Sequence, residues 1–274
     1  MNFNRLYNDD FFEILPLIPD GCVDMVLCDP PYGMTAAFWD KEMKWDSIWP
    51  QYWRILKPNG VVVLFAQMPF AAKLVCSQIK YFRYEWIWEK GQPTGFLNSK
   101  KMPLKAHEQL LVFYRKLPTY NLIHIPNQNK GKYVRICNNG RINKMEIYGN
   151  TKSNELITFK SEGERYPRDV IKFKTVNAET GFKKNGTTVH PVQKPTSLLR
   201  HMIQVYTNKN EVVLDNCMGS GSTCVAAVET ERQFIGIERE KKYYDIACQR
   251  VEQARTISLE PRIREKDDYQ LTLF

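Results

Sequence analysis

Apolar residues along this chain fall into two alternating patterns: short continuous runs, and stripes recurring every three to four positions. Val23 to Cys28 (VDMVLC) is a run of the first kind and predicts a buried strand. It stops at Asp29-Pro30-Pro31, where two prolines can continue neither a ladder nor a helix. A helix is expected from Trp45 to Leu56, stopped by Lys57-Pro58-Asn59-Gly60, after which Val61 to Phe65 (VVVLF) reads as a buried strand. Phe70 to Ile79 predicts another helix, followed by strand-like stretches at Arg83 to Glu89 and Glu108 to Tyr114. Alternation of this kind predicts an α/β fold around a mostly parallel sheet.

Between Asn121 and Val189 the periodicity dissolves into Asn, Gly, Lys and Thr, as in a loop-rich insert. It then returns. Lys194-Pro195 opens an expected helix through Thr207, with Pro195 near its first turn and Leu198, Leu199, Met202, Ile203 and Tyr206 on one face. Glu211 to Asp215 reads as a strand, Ser222 to Glu231 as a helix, Gln233 to Ile237 as a strand and Lys241 to Ala254 as a helix, leaving a charged tail from Arg255 to Phe274.

Charge sharpens this picture. The chain carries a net charge of +9, and from Asn121 to His190 thirteen Lys and Arg stand against six Asp and Glu. Most of the basic excess is therefore in one segment, which favours a polyanionic partner over simple solubility. Seven cysteines without a C-x-x-C pair argue against a disulfide framework and against a zinc site, so no metal is expected. Met1 to Asp10 lacks a signal-peptide pattern, and no run is apolar enough to span a membrane, so the expected location is the cytoplasm.

Two constellations carry chemistry. The first is a strand, a small-residue turn, a helix and a strand ending in an acid (EVVLD-NCMGSGST-CVAAVETER-QFIGIE), which places a ligand at the carboxyl end of a parallel sheet. Gly219 and Gly221 allow close backbone approach, Glu238 can accept hydrogen bonds from two ribose hydroxyls, and Asp215 suits an amino group or a sulfonium. A dinucleotide fingerprint would need a third glycine where Cys224 stands, which disfavours NAD. A tight turn without a ligand is the alternative.

The second constellation is Asp29-Pro30-Pro31-Tyr32. Here the prolines fix the backbone and remove amide donors, so the segment presents acceptors in a rigid frame. An exocyclic amine conjugated with its ring is a poor nucleophile. The Asp29 carboxylate and the Pro30 carbonyl could hold both of its N–H groups and turn its lone pair toward an incoming methyl, while Tyr32 offers a stacking face. A strand-terminating turn with a packed tyrosine is the alternative. No cysteine sits in the Pro-Cys context of a C5-cytosine nucleophile, so covalent catalysis is not expected. The four histidines are scattered and read as structural or surface residues.

Asp29-Pro30-Pro31-Tyr32 resembles motif IV of amino-group DNA methyltransferases. Asp215 to Thr223 (DNCMGSGST) resembles their motif I, His190 to Pro195 (HPVQKP) motif X, and Gly236-Ile237-Glu238 motif II. The order, catalytic half first and cofactor half last, is similar to the β class of that family, from Tyr7 to Val251. The resemblance implies a Rossmann-like S-adenosylmethionine-dependent methyltransferase fold with circularly permuted motifs, built from residues 1–120 and 188–254. Residues 121–187 would be a target-recognition insert and 255–274 a tail. It implies Asp29, Pro30, Pro31 and Tyr32 as catalytic residues. For the cofactor it implies Asp9, Lys194, Asp215, Asn216, Met218, Gly219, Ser220, Gly221, Ser222, Thr223 and Glu238, with Lys194 on the methionine side. Asn216 and Cys217 depart from the usual Pro and Phe.

Trp39 could hold an extruded base or fill its gap in the duplex, core packing being the alternative. Lys130, Lys132, Arg135, Arg141 and Lys144 are the candidate DNA contacts, a solvated basic face being the alternative. The expected reaction is methyl transfer to adenine N6 of a flipped base in double-stranded DNA. Cytosine N4 is the alternative, since relatives acting on it more often carry Ser at the position of Asp29; a catalytically silent DNA-binding module is the other. A homodimer and a cognate restriction endonuclease are the further partners the family implies.

Overall fold

The computed structural model describes residues 3–33, 43–123, 125–126, 134–135, 159–160, 164–176 and 193–259. They divide into two compact units, one of residues 1–121 and 168–274, the other of residues 122–167. The larger unit contains an eight-stranded sheet. In chain order its strands are β1 (Arg5–Tyr7), β2 (Val23–Cys28), β3 (Leu56–Ala66), β4 (Phe82–Thr94), β5 (Lys105–Tyr114), β10 (Val170–Phe173), β11 (Val212–Asp215) and β12 (Gln233–Ile237). Their spatial order is β1-β12-β11-β2-β3-β5-β4-β10. Within this sheet only β5 runs against its neighbours; the other pairings are parallel. The α/β architecture is that of a doubly wound, Rossmann-like domain.

The helices are α1 (Phe11–Ile14), α2 (Trp45–Ile55), α3 (Phe70–Ser77), α4 (Thr196–Tyr206), α5 (Ser222–Glu229) and α6 (Lys241–Leu259). α2 buries Trp45, Ile48, Trp49, Tyr52 and Ile55, a stripe at helical spacing that joins β2 and β3 in the main hydrophobic core. Each such side chain contributes about 1.5 to 3 kcal/mol on burial. The central strands are mostly apolar, and β2 is buried along its whole length, Asp24 included.

Several boundaries differ from the sequence expectation. Lys57-Pro58-Asn59-Gly60 does not separate helix from strand: β3 already begins at Leu56, which pairs with Val23, and the register shifts before Val61 pairs with Met25. The irregularity needs glycine, since a Cβ at Gly60 would meet Leu56 Cδ2 at 2.7 Å and two carbonyl oxygens at 3.1 and 3.2 Å. β4 and β5 run longer than expected, because they pair out to Thr94 opposite Lys105. Pro195 is the N-cap of α4, next to its first turn as expected. α6 continues to Leu259, five residues past the expected end at Ala254. β1 and α1 were not expected.

The insert boundary also moves. Val170–Phe173 pairs with Ile87–Lys90 as the edge strand of the main sheet, so the stretch belongs to the larger unit and not to an insert running to 187. The smaller unit holds two short antiparallel pairings, β6 (Ile125–Pro126) with β9 (Glu164–Arg165) and β7 (Val134–Arg135) with β8 (Phe159–Lys160). Among the described residues no helix is long and apolar enough to cross a membrane, and no cluster of metal-ligating side chains occurs.

Candidate active site

Because β1, β12, β11, β2 and β3 are parallel, their carboxyl ends share one edge of the sheet. Asp215 ends a strand there and Asp9, Glu238 and Asp29 follow strands, and the four line a single cavity of about 480 Å³, within the size range of small-molecule sites. Pro30, Pro31, Tyr32, Lys194, Asn216, Met218, Gly219, Ser220, Ser222 and Thr223 also line it. Of the sequence-derived catalytic and cofactor candidates only Gly221 does not. Gly221 is glycine for another reason: its φ is +79°, and a Cβ there would meet Ala247 Cβ at 2.8 Å, so it lets α6 close on the turn rather than admitting a ligand.

The turn after β11 is held from several sides. The Gly219 amide donates to Glu238 Oε2 at 2.9 Å, and the Glu240 amide donates to Glu238 Oε1 at 2.8 Å. Arg250 on α6 donates to the Ser220 carbonyl at 2.6 Å and to the Ser220 and Ser222 hydroxyls at 2.9 and 3.1 Å. From the other side the Tyr52 hydroxyl donates to Asn216 Oδ1 at 2.6 Å, a buried bond that gives the departure from Pro a structural role. Asn8 donates to the carbonyls of Glu238 and Arg239 at 2.9 and 3.0 Å, tying β1 to the end of β12. The Asp9 carboxylate accepts the Asp10 amide at 2.8 Å.

Asp29 has both carboxylate oxygens engaged. The Tyr32 hydroxyl donates to Oδ1 at 2.9 Å, and Lys194 Nζ lies 2.6 Å from Oδ2. Lys194 Nζ is also 3.3 Å from Glu108 Oε2, and Lys90 Nζ is 2.5 Å from Glu108 Oε1. Lys90, Glu108 and Lys194 are buried. A chain of alternating charge therefore runs from β4 through β5 to the Asp29 carboxylate, pairing ions that could not otherwise remain charged when buried. Burial pushes the Asp29 carboxyl above its ordinary range, with Lys194 opposing. Burial also acts to raise Glu108, but Lys194 and Lys90 outweigh it and hold that carboxyl below its usual value. For Lys194, Asp29 and Glu108 outweigh the burial that disfavours its charge, so its pKa stands above the ordinary lysine value.

Lys194, which the family resemblance puts on the methionine side of a cofactor, lines the cavity with its ammonium committed to Asp29 and Glu108. Sequence reasoning missed Lys90 and Glu108 altogether, although each stands at the margin of an apolar strand run (WIWEK and HEQLLVF), where an unpaired charge would be costly. Tyr32 is likewise more constrained than expected. Its ring stacks on Phe70 at 4.9 Å and 24° while its hydroxyl holds Asp29, so it fixes the carboxylate as well as lining the cavity.

Asp215 is 4% exposed and accepts the Cys217 amide at 3.1 Å. Burial pushes its carboxyl up to about 7, against the hydrogen bonds from Thr223 and the Cys217 amide. Between the ordinary carboxyl value near 3.9 and about 7, the folded protein keeps a proton that the unfolded chain has released, so stability falls as pH rises through that window and levels off above it. Urea unfolding at about pH 5 and about pH 8 should show this decline, and Asp215→Asn should flatten it. A variant retaining the full pH dependence would exclude Asp215 as its source. Burial also raises the Cys28 thiol well above its ordinary value, which fits a packing role. His201, between Trp86 and Phe173, is held by burial at about 4 and is neutral, in line with the structural role expected of the histidines.

Trp39, Lys130, Lys132, Arg141 and Lys144 lie outside the described residues, as do the first three residues of the His190 to Pro195 segment; of Arg135 only the backbone, in β7, is described.

The sequence matches the family model of an N6/N4 DNA methylase over residues 23–249. Type II methyltransferase M.BglII of Bacillus subtilis is similar at 29% identity over 266 residues, covering 90% of this chain and 69% of its own. Type II methyltransferase M1.MboII of Moraxella bovis is similar at 24% identity, over 90% of this chain and 96% of its own. Among solved structures, the complex of M1.HpyAVI with SAM superposes with a TM-score of 0.58 at 25% identity, over 90% of this chain and 98% of that one. The cytosine-N4-specific PvuII DNA methyltransferase gives a TM-score of 0.59 at 16% identity, over 94% and 92%, a likeness of fold.

Proposed function

The chain belongs to the N6/N4 DNA methylase family, and from that premise we propose that it methylates adenine N6 of a base flipped out of duplex DNA, using S-adenosylmethionine. The observation that carries this reading is the single cavity in which the Asp29 to Tyr32 segment faces the turn after β11 and Glu238. One part of it fits an amine donor and the other a nucleoside bearing positive charge. The fit to the cofactor rests on donor chemistry. Each Glu238 oxygen takes one backbone amide and keeps a second lone pair for a ribose hydroxyl, and Asp215 offers a buried carboxylate to a cation.

S-adenosylmethionine supplies the methyl group as an electrophile. The residues supply position and charge. Tyr32 and Lys194 fix the Asp29 carboxylate from two sides, leaving one lone pair on each oxygen for the substrate amine. The Pro30 carbonyl is the second acceptor, in a backbone that the two prolines stiffen. Held by both, the amine turns its lone pair out of conjugation, and the carboxylate stabilises the positive charge that grows on nitrogen. The released proton passes to water. Preference for adenine rests on Asp29, because an ionised carboxylate gives a stronger charge-assisted bond than a serine hydroxyl at that position.

Residues 122–167, the second unit, are proposed as the source of target recognition, with their basic surplus contacting phosphates. The Glu238 assignment has a direct test in equilibrium dialysis against labelled S-adenosylmethionine. Glu238→Ala should weaken binding by about 1 to 3 kcal/mol, as expected when hydrogen bonds to a charged acceptor are removed. An unchanged dissociation constant would remove Glu238 from the cofactor site.

A further inference from the structure

The β4–β5 hairpin does not end with the sheet. Lys90 and Glu108, on its two strands, reach Lys194 and through it Asp29, so the base of the hairpin forms the margin of the catalytic edge. From Lys90 the first strand continues to Thr94, which pairs with Lys105. The register is irregular here, with Glu89 opposite His107 and Thr94 opposite Lys105, so the bulged first strand advances only over the three residues from Glu108 to Lys105, at about 3.3 Å each no more than ~10 Å past the ion chain, on the side of the sheet edge where the cavity lies.

The tip is an ordered turn. Gly95 takes a φ of +95°, and a 3-10 turn follows over Phe96–Asn98. The Asn98 amide donates to the Gly95 carbonyl at 2.9 Å, and the Lys101 and Met102 amides donate to the Asn98 carbonyl at 2.8 and 3.0 Å. These bonds hold apolar side chains in the open: Leu97 is 101% exposed, Phe96 67% and Met102 52%. Ordered turns seldom display three large apolar groups to water unless something covers them. Charge identifies what. From residue 91 to residue 107 the chain has three lysines, Lys100, Lys101 and Lys105, all exposed, and not one acid.

We propose that this hairpin is a DNA-docking element beside the catalytic cavity, in which Lys100, Lys101 and Lys105 contact phosphates and Leu97 and Phe96 press against the bases. Exposed lysines without acidic neighbours match a polyanion. Leucine and phenylalanine at an apex are the side chains that wedge against base steps, where an unstacked gap is what extrusion of a base leaves behind. The hairpin is well placed for this role, because it stands next to the carboxylate assigned to the flipped base and its strands are tied to that carboxylate by buried charge. The inference rests on the proposed action on DNA.

A direct test is fluorescence anisotropy of a labelled mixed-sequence duplex titrated with the full chain over a series of salt concentrations. The combined variant Lys100→Gln, Lys101→Gln, Lys105→Gln should bind more weakly and lower the log-log salt slope by about 0.9 for each phosphate no longer neutralised, hence by about 2 to 3. Phe96→Ala with Leu97→Ala should weaken binding at fixed salt by about fivefold or more, with the slope unchanged, because apolar packing releases no counterions. Wild-type affinity and slope in both variants would overturn the proposal. So would unchanged DNA affinity with loss of a dimer in sedimentation by the apolar variant, which would assign the face to a second copy of this chain. Methyl transfer by the wild-type chain, measured separately, tests the functional reading: a chain that binds DNA through the hairpin and methylates nothing would sink that reading alone.

Discussion

Asp29→Ala is expected to lower kcat by about 10² to 10³-fold or more, the scale of removing one preorganised electrostatic contact to a transition state, while leaving S-adenosylmethionine affinity close to wild type. The division of labour follows from the geometry. Asp29 lies in the cavity on the side of Tyr32 and Lys194, whereas the groups that fit the cofactor are Glu238, Asp215 and the turn between them. Removing the carboxylate does not strand Lys194, because Glu108 Oε2 remains 3.3 Å from its ammonium. The variant should therefore fold, and single-turnover kinetics with equilibrium dialysis on the same preparation would check both halves of the expectation. A cofactor affinity that collapsed along with activity would show that the two roles are not separate.

Lys194→Met should have the opposite balance, with stability suffering as much as catalysis. It leaves the buried Glu108 and the half-buried Asp29 with Lys90 as the remaining cation in the chain of charges. Breaking a buried pair by deleting one member costs about 3 to 5 kcal/mol, since the surviving charge stays out of water. With the cation gone, the Asp29 carboxyl should rise further above its ordinary range, so the acid limb of the kcat/KM profile should move to higher pH. Urea unfolding and a pH–rate profile measure the two effects. A variant of wild-type stability with an unshifted acid limb would mean that the ion chain does not set the state of Asp29.

What the sequence disclosed and what it withheld have physical reasons. Asp29-Pro30-Pro31-Tyr32 and the turn from Asp215 to Thr223 were legible because their chemistry is local: prolines after a strand, small residues before a helix. The stripe of α2 and the run of β2 were legible because burial imposes periodicity. Lys90 and Glu108 were not, since a buried charge looks like an exposed one until its partner is known, and the partners lie on different strands and on the segment before α4. Gly221 was read as opening room for a ligand, where the neighbour it spares is Ala247 on α6, a proximity with no sequence signal. β10 was hidden because four residues at a sheet edge carry too little pattern to separate them from a loop.

The central claim, methyl transfer to an amine held by Asp29, has one product to be looked for. DNA incubated with the chain and S-adenosylmethionine, digested to nucleosides and analysed by mass spectrometry over a time course, should accumulate N6-methyladenine, and about 10² to 10³-fold more slowly or not at all when Asp29 is replaced by Ala. N4-methylcytosine as the main product would contradict the adenine assignment while leaving the family and fold intact, and methylation at the wild-type rate by Asp29→Ala would contradict the mechanism itself.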